Sequence, residues 1–71
     1  MPKGAIKKRS ITIAGHRTSI TLEDIFWEAL KDIAAAKGIS RQILIEGIDK
    51  TRTTSLSSAL RVFAMKEVMK S

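Results

Sequence analysis

The chain has 71 residues, of which 44% are apolar, with no cysteine and one histidine. A domain of this size buries only about 60% of the surface that its unfolded chain exposes, so its core is marginal. Without cysteine, and with a single histidine, neither disulfides nor a Cys- or His-bound metal can stabilise it. We therefore expect a homodimer with a shared aliphatic core. The chain has 13 Lys and Arg against 7 Asp and Glu, and its net charge of +6 favours a nucleic-acid partner. No apolar run approaches the roughly 20 residues that a membrane-spanning helix needs.

The first residues form a basic segment. Residues 1–8 combine Pro, Gly and Lys without a hydrophobic period, which predicts a flexible basic arm. Residues 1–22 contain five cations and no acid. We therefore expect Lys7, Lys8 and Arg9 to contact phosphates, the alternative being that they only keep the protein soluble. The segment lacks the continuous apolar stretch of a signal peptide, and we expect a cytoplasmic protein with no membrane partner.

Two near-copies of one tetrapeptide follow, SITI at residues 10–13 and SITL at residues 19–22. Around the second copy apolar and polar residues alternate, which is typical of a strand with one buried face. Ile20 and Leu22 point to the buried side. The polar and cationic side carries Arg17, Ser19 and Thr21. Taken alone, this pattern also fits the solvated face of an ordinary sheet.

The first copy is out of phase with the second. Ile11 and Ile13 occupy odd positions, whereas Ile20 and Leu22 occupy even ones, so an unbroken strand would put the first pair on the polar face. The phase must be reset at residues 14–16, where a glycine tolerates the backbone angles of a turn or bulge. We expect two separate strands, or one strand and a loop, and the pattern leaves open whether the first copy folds back onto the second.

The next two predicted elements are helices. Thr21 and Asp24 form a variant of the capping box, which predicts a helix start, and Gly38 is a typical C′ residue that predicts its end. Ser40 then caps a second helix that extends to about residue 50. Apolar residues recur at helical spacing in both helices. With two strand residues they form the predicted dimer core: Ile20, Leu22, Phe26, Leu30, Ile33, Ile43, Leu44 and Ile48.

A polar break at residues 51–55 precedes a third predicted helix. Ser55 or Ser57 can cap it. Its apolar stripe is formed by Leu56, Leu60, Phe63 and Ala64. The predicted organisation is a flexible basic arm at 1–8, a core with an accessory N-terminal strand at 9–50, and a C-terminal helix extension at 51–71.

Residues 17–45, RTSITLEDIFWEALKDIAAAKGISRQILI, resemble a ribbon-helix-helix DNA-binding domain of the MetJ/Arc/CopG type. The resemblance rests on a short alternating strand directly before a capped helix and on the KGIS turn before the second helix. The duplicated opening and the SLSSALR segment also resemble a bacterial subfamily of that class without an assigned target. The resemblance implies a mainly α fold with a short β-strand. It also implies an intertwined homodimer whose antiparallel β-ribbon takes one strand from each subunit, here with an extra C-terminal helix.

The resemblance also implies roles for particular side chains. The ribbon enters the DNA major groove, where Arg17, Ser19 and Thr21 would meet base edges. The N-terminus of the second helix would clamp a backbone phosphate. That turn is occupied by Ser40, Arg41 and Gln42.

These features predict a sequence-specific transcriptional regulator of double-stranded DNA, acting as a repressor or autoregulator, with possible higher-order assembly on DNA. A second hypothesis is an antitoxin or adaptor in which residues 51–71 bind a protein partner. A third, a basic amphipathic peptide on an anionic membrane, fits poorly with a strand and two helix breaks. The sequence contains no catalytic triad, metal-ligand spacing or phosphate-binding glycine loop, so we expect neither an enzyme nor a cofactor.

Overall fold

The computed structural model describes the backbone of residues 6–70 and the side chains of residues 7–70. The elements in chain order are β1 (Ile6–Ile13), β2 (His16–Glu23), α1 (Asp24–Ala36), α2 (Arg41–Thr51) and α3 (Leu56–Lys70). The predicted order of strands followed by three helices is confirmed. Residues 6–8 belong to β1 and not to the predicted arm, and the rest of that arm lies outside the described residues.

The two strands form an antiparallel hairpin. Its register extends from Ile6 opposite Glu23 to Ile13 opposite His16, and only Ala14 and Gly15 lie between the strands. Both turn residues have positive φ, 52° and 82°, as a two-residue type I′ turn requires. The turn resets the phase, because each odd-numbered residue of β1 lies opposite an even-numbered residue of β2. The isoleucines of both copies therefore share one face of the hairpin.

One edge of β2 is paired within the chain, and the ribbon implied by the family resemblance stays a prediction for its other edge. The expected ribbon joined β2 to the same strand of a second subunit, whereas here β2 pairs with β1 of its own chain. A two-residue turn holds the two copies next to each other, so their pairing has little loop-closure entropy to overcome. Pairing with a second subunit would have to use the other edge of β2.

The ends of α1 and α2 are set by local hydrogen bonds. At α1 the capping-box prediction is wrong, because Thr21 stays in β2 and Glu23 occupies the N-cap without a side-chain cap bond. Gly38 ends α1 with φ of 74°, and the backbone N–H groups after Lys37 donate back to the last turn, as in a Schellman motif. Ser40 caps α2 as predicted, its Oγ accepting from the Ile43 N–H at 3.1 Å.

One aliphatic core lies between the inner face of the hairpin and the three helices. Its buried residues are Ile11, Ile20, Leu22, Leu30, Ala34, Leu44, Ile45, Leu60 and Ala64. Of the predicted core residues, Phe26, Ile33 and Ile48 pack against it half-buried. Ile43 does not belong to it, since its side chain is 55% exposed. Ile45 takes the inward position instead, because the two residues project about 200° apart around the helix.

The third helix is part of this core and packs against α1, α2 and β2. The Ser55 Oγ accepts from the Ser58 N–H at 3.3 Å, which confirms the predicted cap. Leu60 and Ala64 are buried, and Arg61 donates through Nε to Oε1 of Glu23 at 2.8 Å. Among the described residues, no helix has the length and apolarity that crossing a membrane would need.

Candidate nucleic-acid interface

The hairpin turns one polar face away from the helices. Between the turn and the last pair, Ile6 with Glu23, the register places six side chains on this outer face: Lys8, Ser10, Thr12, Arg17, Ser19 and Thr21. All six are exposed. They form three directly opposed pairs: Lys8 with Thr21, Ser10 with Ser19, and Thr12 with Arg17. Each of these six side chains can donate a hydrogen bond, and two of them carry a positive charge. Glu23, in the last pair, accepts from Arg61 of α3.

The outer face includes the predicted base-contacting residues and three more. Arg17, Ser19 and Thr21 lie on it side by side along β2, as their alternation predicted. Lys8 was expected to touch only phosphate, and Ser10 and Thr12 had no expected role. The repeated tetrapeptide was the available signal for Ser10 and Thr12, but alternation alone does not reveal which strand pairs with which.

The outer face carries an internal contact at Arg17. Its Nη2 donates to Oγ of Ser10 at 3.3 Å across the hairpin. Together with Lys8 and Ser19 these two residues line an open depression on the protein surface. The guanidinium is exposed and has no acidic partner within the stretch from residue 7 to residue 22, which contains no Asp or Glu. Arg17 is therefore available to an external hydrogen-bond acceptor.

Two of the predicted phosphate-contacting cations face inward and are bound within the chain. Lys7 and Arg9 both pair with the carboxylate of Asp24, Lys7 at 3.2 Å. The Arg9 guanidinium also lies over the Trp27 ring, 4.7 Å from its centroid. Burial opposes ionisation of Asp24, but the hydrogen bonds and charges of Lys7 and Arg9 outweigh it and lower its pKa. A phosphate role for these two cations stays a prediction, and it would compete with these ion pairs.

Arg41 stacks on the same tryptophan. Its guanidinium lies 3.9 Å from the Trp27 ring centroid, and its Nη1 donates to the Trp27 carbonyl oxygen at 3.1 Å. Burial, followed by the positive charge of nearby Arg9, lowers the pKa of Arg41, although an arginine in a protein stays protonated. Trp27 thus holds two guanidinium groups on its ring system and fixes the direction of the first residue of α2.

The start of α2 lies along the β1 edge of the hairpin. Gln42 connects the two, because its Nε2 donates to the backbone carbonyl of Thr12 and also to Oε2 of Glu46 at 3.3 Å. The predicted phosphate clamp therefore stands beside the outer face, where the N-terminal end of the helix carries a partial positive charge. Phosphate contact by Ser40, Arg41 and Gln42 stays a prediction with which this geometry is compatible.

The described side chains offer no other site of recognisable chemistry. Among residues 7–70, no three His, Asp or Glu side chains come together as a metal site would require. The single histidine, His16, is exposed at the end of the hairpin turn. The outer face of the hairpin, with the start of α2 beside it, is therefore the best-defined candidate site.

The fold belongs to a known class. Residues 6–68 match the family model described as a ribbon-helix-helix domain, and the chain belongs to that family. Ribbon-helix-helix domains occur in DNA-binding regulators and antitoxins, and the fold is typically non-enzymatic.

One solved structure is similar over almost the whole chain. It is an uncharacterized protein from Bordetella pertussis Tohama I, with a TM-score of 0.79 and 29% sequence identity. The match covers 94% of this chain and 58% of that one, so the chain spans little more than half the length of that protein. No curated protein matches the chain.

Proposed function

We propose that this chain is a sequence-specific regulator of transcription, a repressor or autoregulator, that inserts the outer face of its hairpin into the DNA major groove. The observation that carries the proposal is the exposed face of hydroxyl and cationic side chains on a two-stranded ribbon. A major groove about 12 Å wide admits such a ribbon. The net charge of +6 supports attraction to a polyanion.

The side chains divide into two roles in this proposal. Arg17 reads a guanine through its O6 and N7, a bidentate contact worth about 1–3 kcal/mol of discrimination, and the hydroxyls of Ser19 and Thr21 add less selective contacts. The start of α2 contacts the flanking phosphate. Its donors are Ser40, Arg41 and Gln42. Arg9 shares the Trp27 ring with Arg41, and Lys7 shares the Asp24 carboxylate with Arg9. The ion pairs with Asp24 limit the contribution of the last two cations.

A homodimer is also part of the proposal. Because β1 fills one edge of β2, a second copy would attach along the other edge of β2 or through exposed apolar side chains on the helices. Such side chains include Ile43, Val62, Met65 and Met69. Sedimentation at micromolar concentration tests this directly, and a stable folded monomer would remove the dimer from the proposal.

The proposed function is tested by binding to duplexes selected from a random pool. We expect the purified chain to enrich a defined sequence, and Arg17→Ala to lose affinity for that sequence while binding random DNA nearly as before. Lys31→Ala is the matched control, because Lys31 is an exposed cation of α1, which packs on the inner face of the hairpin. Equal losses on selected and random duplexes for Arg17→Ala would assign Arg17 to phosphate contact.

One observation favours the antitoxin or adaptor alternative. Val62, Met65 and Met69 lie on the side of α3 that faces away from the core, and Met69 is 77% exposed. Apolar side chains grouped on one exposed helix face are typical of protein-binding surfaces. Co-expression with the product of the adjacent gene tests this alternative: a complex on gel filtration that Met65→Lys abolishes, without loss of DNA binding, would support it.

A further inference from the structure

We infer that the hairpin is a pseudo-two-fold reading ribbon built within one chain, in which Lys8 is the counterpart of Arg17 and reads a second base. The inference rests on the proposed function and deepens it. It assigns three β1 residues to the reading face and makes that face complete in a single subunit. Its basis is the repeat, the register and the burial of the two strands.

The repeat is longer than the tetrapeptide alone. Residues 8–13, KRSITI, and residues 17–22, RTSITL, are offset by nine positions. At that offset a cation, a serine, an isoleucine, a threonine and an aliphatic residue recur in the same order. Only the second position differs in kind, with Arg9 in the first copy and Thr18 in the second.

The register turns this repeat into symmetry. Ser10 lies directly opposite Ser19, which is its own equivalent in the other copy. When two antiparallel strands of equivalent sequence pair so that equivalent residues lie opposite each other, a local two-fold axis passes through that pair of residues. Rotation about this axis takes Lys8 to Arg17 and Thr12 to Thr21. The outer face is thus two copies of one cation–serine–threonine row running in opposite directions.

The inner face follows the same symmetry. Ile11 and Ile20 are equivalent under the rotation, and both are buried, at 9% and 6% exposure. The exception again is the second position, where Arg9 reaches Asp24 and Trp27 while Thr18 is exposed. The asymmetry therefore lies on the side of the hairpin that packs against α1 and leaves the outer face unaffected.

Recognition by such a face has a defined form. Lys8 and Arg17 can both bind guanine O6 and N7, and the local axis directs them to bases related by a two-fold rotation on opposite DNA strands. The lysine ammonium is a point charge without the planar fork of arginine, so its preference for guanine should be the weaker of the two. One chain should therefore prefer a short, imperfect palindrome.

The test compares selected DNA sites for the full chain and its outer-face variants. The wild-type chain should select two guanine preferences related by a local dyad, one stronger than the other. Lys8→Ala should erase the weaker preference alone and Arg17→Ala the stronger alone, each by a several-fold loss of base discrimination. Lys8→Arg should make the selected site more symmetric. Lys31→Ala should leave the site unchanged, and far-UV circular dichroism checks that every variant is folded.

Other outcomes separate this inference from the proposed function. If Arg17→Ala alone relaxes both dyad-related positions, the ribbon is built by two subunits, and the one-chain ribbon is wrong while DNA reading stands. If Lys8→Ala weakens binding to all duplexes equally with the selected site unchanged, Lys8 contacts phosphate and the symmetry has no role in recognition. If the folded wild-type chain selects no sequence, the proposed function itself is overturned.

Discussion

Arg61 on α3 donates through Nε to Oε1 of Glu23 at 2.8 Å and thereby joins the third helix to the end of β2. This contact attaches α3 to the rest of the domain, whereas the sequence indicated only a C-terminal helix extension. The hydrogen bond from Arg61, together with a backbone hydrogen bond and the positive charge of Arg61, outweighs burial and lowers the pKa of Glu23 from its ordinary 4.5.

The first prediction concerns the stability of this contact at acid pH. A carboxyl whose pKa is lowered on folding stabilises the protein above its unfolded pKa, and it loses that contribution as the pH falls through the folded value. Glu23→Gln should therefore show a smaller loss of thermal stability than the wild type as the pH falls below about 4.5. Arg61→Gln should behave alike, and the double variant should add nothing to either single one, which melting curves against pH would measure. Additive losses would show that the two side chains act independently.

The second prediction separates two functions of the residues around Trp27. Arg41→Ala should weaken binding to all duplexes alike and flatten the dependence on salt by about one unit of slope, because it removes a phosphate donor. Trp27→Leu should leave that slope unchanged. It should lower the free energy of unfolding by about 1–2 kcal/mol, because two guanidinium groups lose their aromatic platform. An unchanged salt slope for Arg41→Ala would restrict Arg41 to its structural contact with Trp27.

The third prediction concerns the hairpin turn. Ala14 has φ of 52°, a region that a non-glycine residue other than Asn or Asp rarely occupies. Ala14→Asn should stabilise the chain by about 0.5–1 kcal/mol, because Asn-Gly is the preferred pair for a type I′ turn. Gly15→Ala should destabilise it by about 1–2 kcal/mol, because φ of 82° is strained for a residue with a Cβ. Urea denaturation measures both, and equal stabilities would show that this turn does not form in solution.

The fourth prediction uses neighbouring residues on opposite faces of β2. Ile20 is 6% exposed, so Ile20→Asp should unfold the protein by burying an unpaired carboxylate. Ser19 is exposed on the outer face, so Ser19→Asp should leave the fold intact and abolish DNA binding by repelling the phosphates. Thermal melting and duplex titration distinguish the two effects. Cooperative melting of Ile20→Asp would show that the faces of β2 are reversed.

Local signals in the sequence predicted much of this fold. Hydrophobic alternation identified the two faces of β2. Gly38 correctly marked the end of α1 and Ser40 the start of α2, because backbone conformation and capping depend on adjacent residues. The partner of β2 could not be predicted, since alternation determines which face is buried and carries no information about which strand lies alongside.

Tertiary contacts decide the positions that local signals in the sequence leave open. Ile43 and Ile45 both fit an apolar helix, and only the positions of β1, α1 and α3 decide which of them is buried. Arg9 was expected among the phosphate contacts because its sequence neighbours are cationic. Its pairing with Asp24 and Trp27 depends on the hairpin register, which brings together residues that are 15 or more positions apart.

The short connection between β1 and β2 also bears on how such a protein can change during evolution. In a ribbon made from two identical subunits, every substitution appears twice, and both half-sites of the target must change with it. Here the two halves of the outer face are encoded by different codons in one gene, since they are joined through Ala14 and Gly15. Under the proposed one-chain reading, a single mutation alters one half of each hairpin and leaves the other half as it was, so new DNA targets can be reached by steps that each retain part of the old contact.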